Sequence, residues 1–322
     1  MRVARVERFG GPEVLVTAEM PDPVPGRAQV VVAVTAADVL FVETVVRRGE
    51  GGGYFPVKPP YVPGGAVAGQ VISVAKGVEP SWIGQRVVAG MAGGGYAQQA
   101  IALVADLVPI PDGLGMDEAV ALFHDGRTAL GLLEATGAHA GESVLVTAAA
   151  GGLGILLVQR ARSSGAHVVA AARGQAKLSL VRELGAETVV DYSEPDWTTR
   201  VREATGGTGP DVVFDGAGGQ IGRAAFEITR PGGRFSAHGT ASGAFADVDP
   251  KEAERRGITV RGIEQVQFTS ADVRRLVVQV LSDAASGQIR PVISQRFSLE
   301  HAADAHAAIE ARDVIGKTLL VI

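Results

Sequence analysis

The sequence predicts an α/β protein of two parts, a mostly β N-terminal region and a doubly wound parallel sheet. Three observations lead there. The chain has 322 residues, about twice a common domain length of ~150. Its first 120 or so residues are rich in Val, Gly and Pro, with short β-branched runs closed by turn residues. From residue 142 onward, short apolar runs alternate with longer amphipathic ones, the pattern of strand and crossover helix.

Taken in order, 29–35, 69–74 and 86–88 read as strands, each bounded by Pro, Gly or Asp. The second region opens with a strand at 143–147 and a helix over 152–164, followed by strands at 167–172, 188–190, 211–215, 233–237 and 258–262. Residues 270–286 carry Val273, Leu276, Val277, Val280 and Leu281 at helical spacing, with Gly287 where a C-cap belongs, so one long helix is expected to close that domain. After Pro291 a short strand, a helix over 299–311 and a strand over 317–322 are expected to return to the first region's sheet.

Composition narrows the function. Thirty Lys and Arg against 35 Asp and Glu give a net charge of −5, which offers no attraction to nucleic acid or an anionic membrane. There is no cysteine, which removes disulfides, thiolate nucleophiles and thiolate metal sites. The opening MRVARVERFGGPEVL has no signal pattern, and the apolar stretch 30–46 is broken by Asp38 and Glu43, so a soluble, cytoplasmic protein is expected.

The sharpest motif is VLVTAAAGGLG at 144–154, a strand running into a glycine-rich turn and a helix. It is a modified G-x-G-x-x-G with Ala149, Gly151 and Gly154 in the three small-residue slots. Ala150, Gly151, Gly152, Leu153 and Gly154 then present backbone N–H groups to a diphosphate at the helix start. A purely structural turn is the alternative. Dinucleotide sites for NAD carry an acid at the end of the second strand; here Arg173 stands there, with Lys177 on the next helix and Tyr192 after the third strand. Two cations and a phenol suit a 2′-phosphate, so NADPH is expected over NADH. The competing reading makes Arg173 and Lys177 solvated surface charges.

The phrases FGGPEVL, PPYVPGGAVAG (59–69), GGGYAQQ (93–99), AAAGGLG, LGA (184–186) before VVDY, and RPGGRF (230–235) occur in an order that resembles the medium-chain dehydrogenase/reductase superfamily, in its zinc-free, zeta-crystallin-like quinone oxidoreductase branch. The resemblance covers nearly the whole chain. It implies a GroES-like β-barrel catalytic domain from 1–121 and 291–322, interrupted by a Rossmann NADPH-binding domain over 122–290. It implies a cleft between domains for nicotinamide and substrate, and a homodimer through the edge strand near 258–262. No metal is expected: the position of the zinc relatives' His-Glu pair reads Gly65-Ala66, and His301 and His306 lie five apart rather than at i, i+4.

The resemblance also carries residues. The family's nicotinamide-proximal Asn and the Asp three residues on are here Leu40 and Glu43, which makes the pocket more apolar. Leu40, Phe41, Tyr54 and Phe55 are the expected substrate contacts. Tyr54, His124 and Thr128 are the catalytic candidates, Thr128 matching a family Thr near the nicotinamide, and Asp125 is a neighbour that could support His124. A packed histidine with a capping Asp is the alternative. Ala217, His238 (through its backbone), Gly239, Thr240 and Lys317 are further cofactor contacts. The expected function is NADPH-dependent hydride transfer to a quinone or related conjugated carbonyl. An enoyl or enone reductase is the alternative, and a redox-inactive NADPH-binding protein the alternative of another class.

Overall fold

The computed structural model describes residues 1–263, 268–312 and 314–322. In chain order its strands are β1 (Arg2–Val6), β2 (Leu15–Glu19), β3 (Gln29–Val39), β4 (Ala66–Val74), β5 (Arg86–Gly90), β6 (Gln99–Leu103), β7 (Leu107–Pro109), β8 (Ser143–Thr147), β9 (His167–Ala172), β10 (Thr188–Asp191), β11 (Val212–Asp215), β12 (Arg234–Ala237), β13 (Thr259–Gly262), β14 (Ile293–Ser298) and β15 (Lys317–Val321). The helices are α1 (Phe41–Arg47), α2 (Met116–Thr136), α3 (Gly152–Ser163), α4 (Gln175–Glu183), α5 (Trp197–Ala204), α6 (Gly219–Ile228), α7 (Pro250–Arg255), α8 (Ser270–Ala285) and α9 (Ala302–Glu310). None among the described residues is long and apolar enough to cross a membrane.

The chain divides into two compact units, Met1–His124 with Ser270–Ile322, and Asp125–Thr269. In the first, strands pair in the order β14-β15-β3-β4-β5-β7, with β6 on β3 and a separate β1-β2 hairpin. The long strand β3 organises this sheet: β6 pairs its first half, β15 its second half, and β4 runs along the other edge. The expected barrel is therefore an open sheet among the described residues, because the hydrogen-bond path ends at β14 and β7 instead of closing. The C-terminal strands β14 and β15 do extend this sheet, as expected of the tail. Its core is Val- and Ala-rich, built on Val30, Val32, Val67, Val87 and Leu107, with Leu299 and Ala305 of the C-terminal tail packed in.

The 270–285 helix differs from expectation. It belongs with the first unit, where the Arg274 guanidinium donates to the Leu107 carbonyl at 2.7 Å. Its apolar face is real, but periodicity does not say which sheet that face covers.

The second unit is a six-stranded parallel sheet in the order β10-β9-β8-β11-β12-β13. Strand order reverses between β8 and β11, so the crevice at their carboxyl ends is where a nucleotide is received in such sheets. Val144, Val146, Val168, Val213 and Phe235 are fully buried, as parallel strands covered on both faces require.

Candidate functional site

In the nucleotide-type unit, β8 ends at Thr147 and the chain turns sharply before α3. The residue bent into the left-handed region is Ala148, at φ +50, while Gly151 is extended at φ −78 and ψ 168 and caps the helix. The tight turn thus lies one residue before the slot assigned to Ala149. Gly154 is required by packing: a Cβ there would stand 2.5 Å from the Ala148 carbonyl oxygen and 2.8 Å from Ala149 Cα. Gly151 has more room, its nearest neighbour being Ala148 O at 3.4 Å. Gly151, Gly152 and Leu153 stay part-exposed at the N-terminus of α3, while Ala150 and Gly154 are buried beneath them. The first N–H groups of a helix lack intrahelical partners and favour an anion.

Beside this turn, β9 and β10 bring Arg173 and Tyr192 to adjacent strand ends, and Lys177 lies in the first turn of α4 between the two strands. Gly174, at φ +84, lets the chain enter α4. Its N–H donates to Asp191 Oδ2 at 2.8 Å, while Asp191 Oδ1 accepts from the Ser193 N–H and hydroxyl. Burial would raise the Asp191 carboxyl, but those hydrogen bonds and the Arg173 charge hold it below the usual range. Asp191 is a residue that sequence reasoning passed over; only its place at the end of a strand hinted at it.

On the other side of the crevice, Asp215 closes β11. Its Oδ1 accepts from the Thr147 hydroxyl at 2.6 Å and from the N–H groups of Ala217 and Gly218 at 3.2 and 3.1 Å. Burial pushes this carboxyl up against those bonds. Ala217 is buried with its N–H spent on Thr147 and Asp215, so it shapes the loop without offering a donor. The N–H groups of His238 and Gly239 both donate to the Asp215 carbonyl, and a Cβ on Gly239 would collide with Gly216 at 2.1 Å. His238 places Nδ1 3.2 Å from Ser236 Oγ, and burial pushes its pKa down to about 4, so the ring is neutral at pH 7. Thr240 follows, part-exposed.

The first unit holds a buried polar centre on β3, α1, β15 and the end of its share of α2. Asp38, 1% exposed, faces Lys317 Nζ at 2.6 Å through Oδ1 and His124 Nδ1 at 3.2 Å through Oδ2. Burial alone would raise this carboxyl, but the Lys317 ammonium and the His124 ring outweigh it and hold it below its ordinary value. The register of β15 on β3, Leu319 opposite Asp38, delivers Lys317 to the carboxylate. Lys317, expected at the cofactor, is buried and meets Asp38, because its strand lies inside the sheet. His124 also meets Asp38, a carboxylate that sequence reading did not place beside it. Thr128 lies four residues after His124 in α2, on the same helical face.

Glu43 pins the adjacent turn. Its Oε1 accepts from the N–H groups of Gly64 and Gly65 at 3.0 and 3.1 Å, and its Oε2 from the Leu40 N–H at 2.9 Å and the Tyr96 hydroxyl at 2.8 Å. Burial drives its pKa up to about 7 against those donors, with the Asp38 charge adding to the rise. Tyr96 continues to His306 Nε2 at 3.1 Å, and burial with the Arg47 charge pushes His306 down to about 3. Leu40 and Phe41 are part-buried at the start of α1, with the Arg312 guanidinium 5.0 Å above the Phe41 ring. Tyr54 and Phe55 lie on an exposed loop, at 74% and 45% exposure.

Comparison with known proteins now bears on this geometry. Residues 26–112 match the alcohol dehydrogenase GroES-like domain, and residues 152–283 the zinc-binding dehydrogenase domain. Rat quinone oxidoreductase is 31% identical over 328 residues, spanning 100% of this chain and 98% of the relative. The chain belongs to the quinone oxidoreductase branch of the medium-chain dehydrogenases/reductases. A 2-haloacrylate reductase from Burkholderia is 31% identical over 329 residues, covering 99% of this chain and 98% of its own. The crystal structure of Escherichia coli quinone oxidoreductase complexed with NADPH superposes with a TM-score of 0.92 at 28% identity, covering both chains fully. The chain is an oxidoreductase of this superfamily. One of the matching descriptions names zinc, yet the chain has no cysteine and no three His, Asp or Glu side chains gather as a ligand set among the described residues. These residues do not fit a zinc centre.

Proposed function

We propose that the protein is an NADPH-dependent reductase that transfers hydride to a quinone or a related conjugated carbonyl without zinc. The observation that carries this reading is the pairing of two features on one sheet: the α3 turn at the reversal of strand order, and Arg173 and Tyr192 just past the two neighbouring strand ends, with Lys177 in the first turn of the helix that connects those strands. The resemblance to a quinone oxidoreductase complexed with NADPH supports it.

The residues fit the cofactor. Gly151, Gly152 and Leu153 would present N–H groups to the diphosphate, and Gly154 lets the helix approach the strand closely enough to do so. Arg173 and Lys177 would bracket the 2′-phosphate with charge-assisted bonds. The backbone from His238 to Thr240, held by the Asp215 carbonyl, would line the nicotinamide side of the crevice. When bound, NADPH supplies the hydride. The protein's task is to orient that carbon against the acceptor and keep water away. Leu40 and Phe41 would give the acceptor an apolar wall. Strand β13, with β12 as its partner at the sheet edge, is where a homodimer would extend the sheet.

Replacing Arg173 and Lys177 by Ala tests the cofactor assignment. Each lost charged contact is worth about 1.5–3 kcal/mol, so NADPH affinity should drop at least ~10-fold per residue, with NADH affinity nearly unchanged. Equal weakening of both nucleotides would reject the assignment.

A further inference from the structure

The carboxyl ends of β8, β11 and β12 meet at one residue. Asp215 lies opposite Thr147 of β8 and Ala237 of β12, and it is fully buried. Thr147, itself buried, spends its hydroxyl completely. It donates to Asp215 Oδ1 at 2.6 Å and accepts from the Gly216 and Ala217 N–H groups, both at 3.1 Å. Oδ1 gathers the Ala217 and Gly218 N–H groups as well. The main-chain oxygen of Asp215 accepts from the N–H groups of His238 at 3.1 Å and Gly239 at 3.0 Å. One residue therefore holds its own loop through a side-chain oxygen and the loop after β12 through its carbonyl.

The two loops also touch with no side chain between them. A Cβ on Gly239 would stand 2.1 Å from the Gly216 carbonyl oxygen, and one on Gly218 would stand 2.1 Å from that of Ala244 and 2.7 Å from that of Gly239. The Ser242 N–H donates to the Ala217 carbonyl at 2.7 Å, and the Gly219 N–H to the Ala244 carbonyl at 2.9 Å. Main chain packed on main chain has no rotamer to yield, so 216–219 and 238–244 shift together or not at all. Helix α6 comes as near: a Cβ on Gly222 would stand 2.2 Å from Asp215 Oδ2, so the glycine is what leaves the carboxyl its room.

We infer that Thr147 and Asp215 form a clasp that sets where the 238–240 backbone meets the nicotinamide, which makes them positioning residues for hydride transfer and not for nucleotide affinity. This rests on the reading of the protein as an NADPH-dependent reductase. The groups assigned to the phosphates lie elsewhere on the sheet: Arg173 follows β9, Lys177 is in α4, and 151–153 open α3. Grip on the adenosine half therefore survives when the clasp is loosened, while alignment of the hydride-bearing carbon does not. A misplacement of about 1 Å can cost about 10²-fold in rate. Neither residue gives or takes a proton in the reaction.

The test is Thr147→Val, which keeps the side chain's shape and removes its hydroxyl, beside Thr147→Ser, which retains the hydroxyl. Hydrogen exchange read by mass spectrometry should show 212–219 and 235–244 losing protection together, at least ~10-fold, in Thr147→Val and not in Thr147→Ser, with 148–158 unchanged. Affinity for adenosine 2′,5′-bisphosphate, which carries the phosphates without the nicotinamide, should stay within about 3-fold. The acceptor is whichever of a benzoquinone, a naphthoquinone, an enone and an enal wild type reduces fastest. With it, kcat of Thr147→Val should fall about 10–100-fold. The rate difference between NADPH and NADPH dideuterated at the nicotinamide C4 should widen as hydride transfer becomes rate-limiting, and Thr147→Ser should recover both. In wild type itself the two segments should open as one unit with matching protection, a readout that needs no variant to fold. Independent opening of the two segments, an unchanged kcat and isotope effect in a folded Thr147→Val, or a loss of bisphosphate affinity as large as the loss of kcat would overturn the inference and leave the cofactor reading standing. Wild type that binds no NADPH, or oxidises it with none of the acceptors, would overturn both.

Discussion

The α3 turn offers a pair of neighbouring substitutions with opposite expected outcomes. At Gly154 an added methyl would lie 2.5 Å from the Ala148 carbonyl oxygen and 2.8 Å from two Ala149 backbone atoms. These are main-chain atoms at the base of a turn, so the helix itself must move off the sheet. Overpacking of this kind costs about 1–3 kcal/mol, and displacing the helix also displaces the N–H groups that meet the diphosphate. Gly154→Ala should lower the melting temperature and weaken NADPH together. At Gly151 the same methyl would find its nearest neighbour at 3.4 Å, ordinary contact, and the backbone is already extended. Gly151→Ala should leave stability within ~0.5 kcal/mol. It should still cost at least ~10-fold in NADPH affinity, because the methyl intrudes where backbone approaches the pyrophosphate. Thermal unfolding and nucleotide titration of both variants read the two quantities separately. A destabilised Gly151→Ala, or a Gly154→Ala that is stable and binds NADPH normally, would refute the account of the turn.

Other expectations follow from single residues. Glycine at Ala148 relieves a left-handed backbone, φ +50, and should stabilise the protein by about 1 kcal/mol in a denaturant melt. The Glu43 carboxyl has its pKa raised to about 7, so the folded state holds a proton that the unfolded state has lost above its ordinary 4.5. Stability from that proton is complete below pH 4.5 and is lost as pH rises through 7. Wild type should therefore lose on the order of 3 kcal/mol relative to Glu43→Gln between pH 4.5 and 8, and a constant gap across that range would contradict the assignment. Tyr54→Phe removes a phenol that is largely in solvent. It should keep kcat for all acceptors within about 3-fold, since a side chain 74% exposed to solvent is not held beside a reacting atom.

Much of the scaffold was legible because it is written in local pattern. The parallel strands β8, β9 and β11 are short apolar runs separated by helix-length segments, and the α3 turn has its strand, glycines and helix in immediate succession. What escaped sequence reading is set by pairing across long separations. The α8 helix shows its apolar face plainly, but nothing local in its sequence foretells that Arg274 reaches the Leu107 carbonyl, 167 positions earlier. Asp38 reads in the chain only as a charge interrupting an apolar stretch. Its meaning arises when β15 brings Lys317 and α2 brings His124, 279 and 86 positions away. Asp215 and Asp191 are similar: each closes a strand, and only the fold shows the donors their oxygens collect.

The central claim is NADPH-dependent reduction of a conjugated carbonyl. The most direct measurement is the loss of NADPH absorbance by the purified full chain, beside NADH, against a benzoquinone, a naphthoquinone, an enone and an enal, with the organic product identified in each case. The account predicts acceptor-dependent oxidation with a strong preference for NADPH over NADH and a reduced carbonyl compound formed in equal amount. Oxidation of neither nucleotide with any acceptor, or a clear preference for NADH, would contradict it.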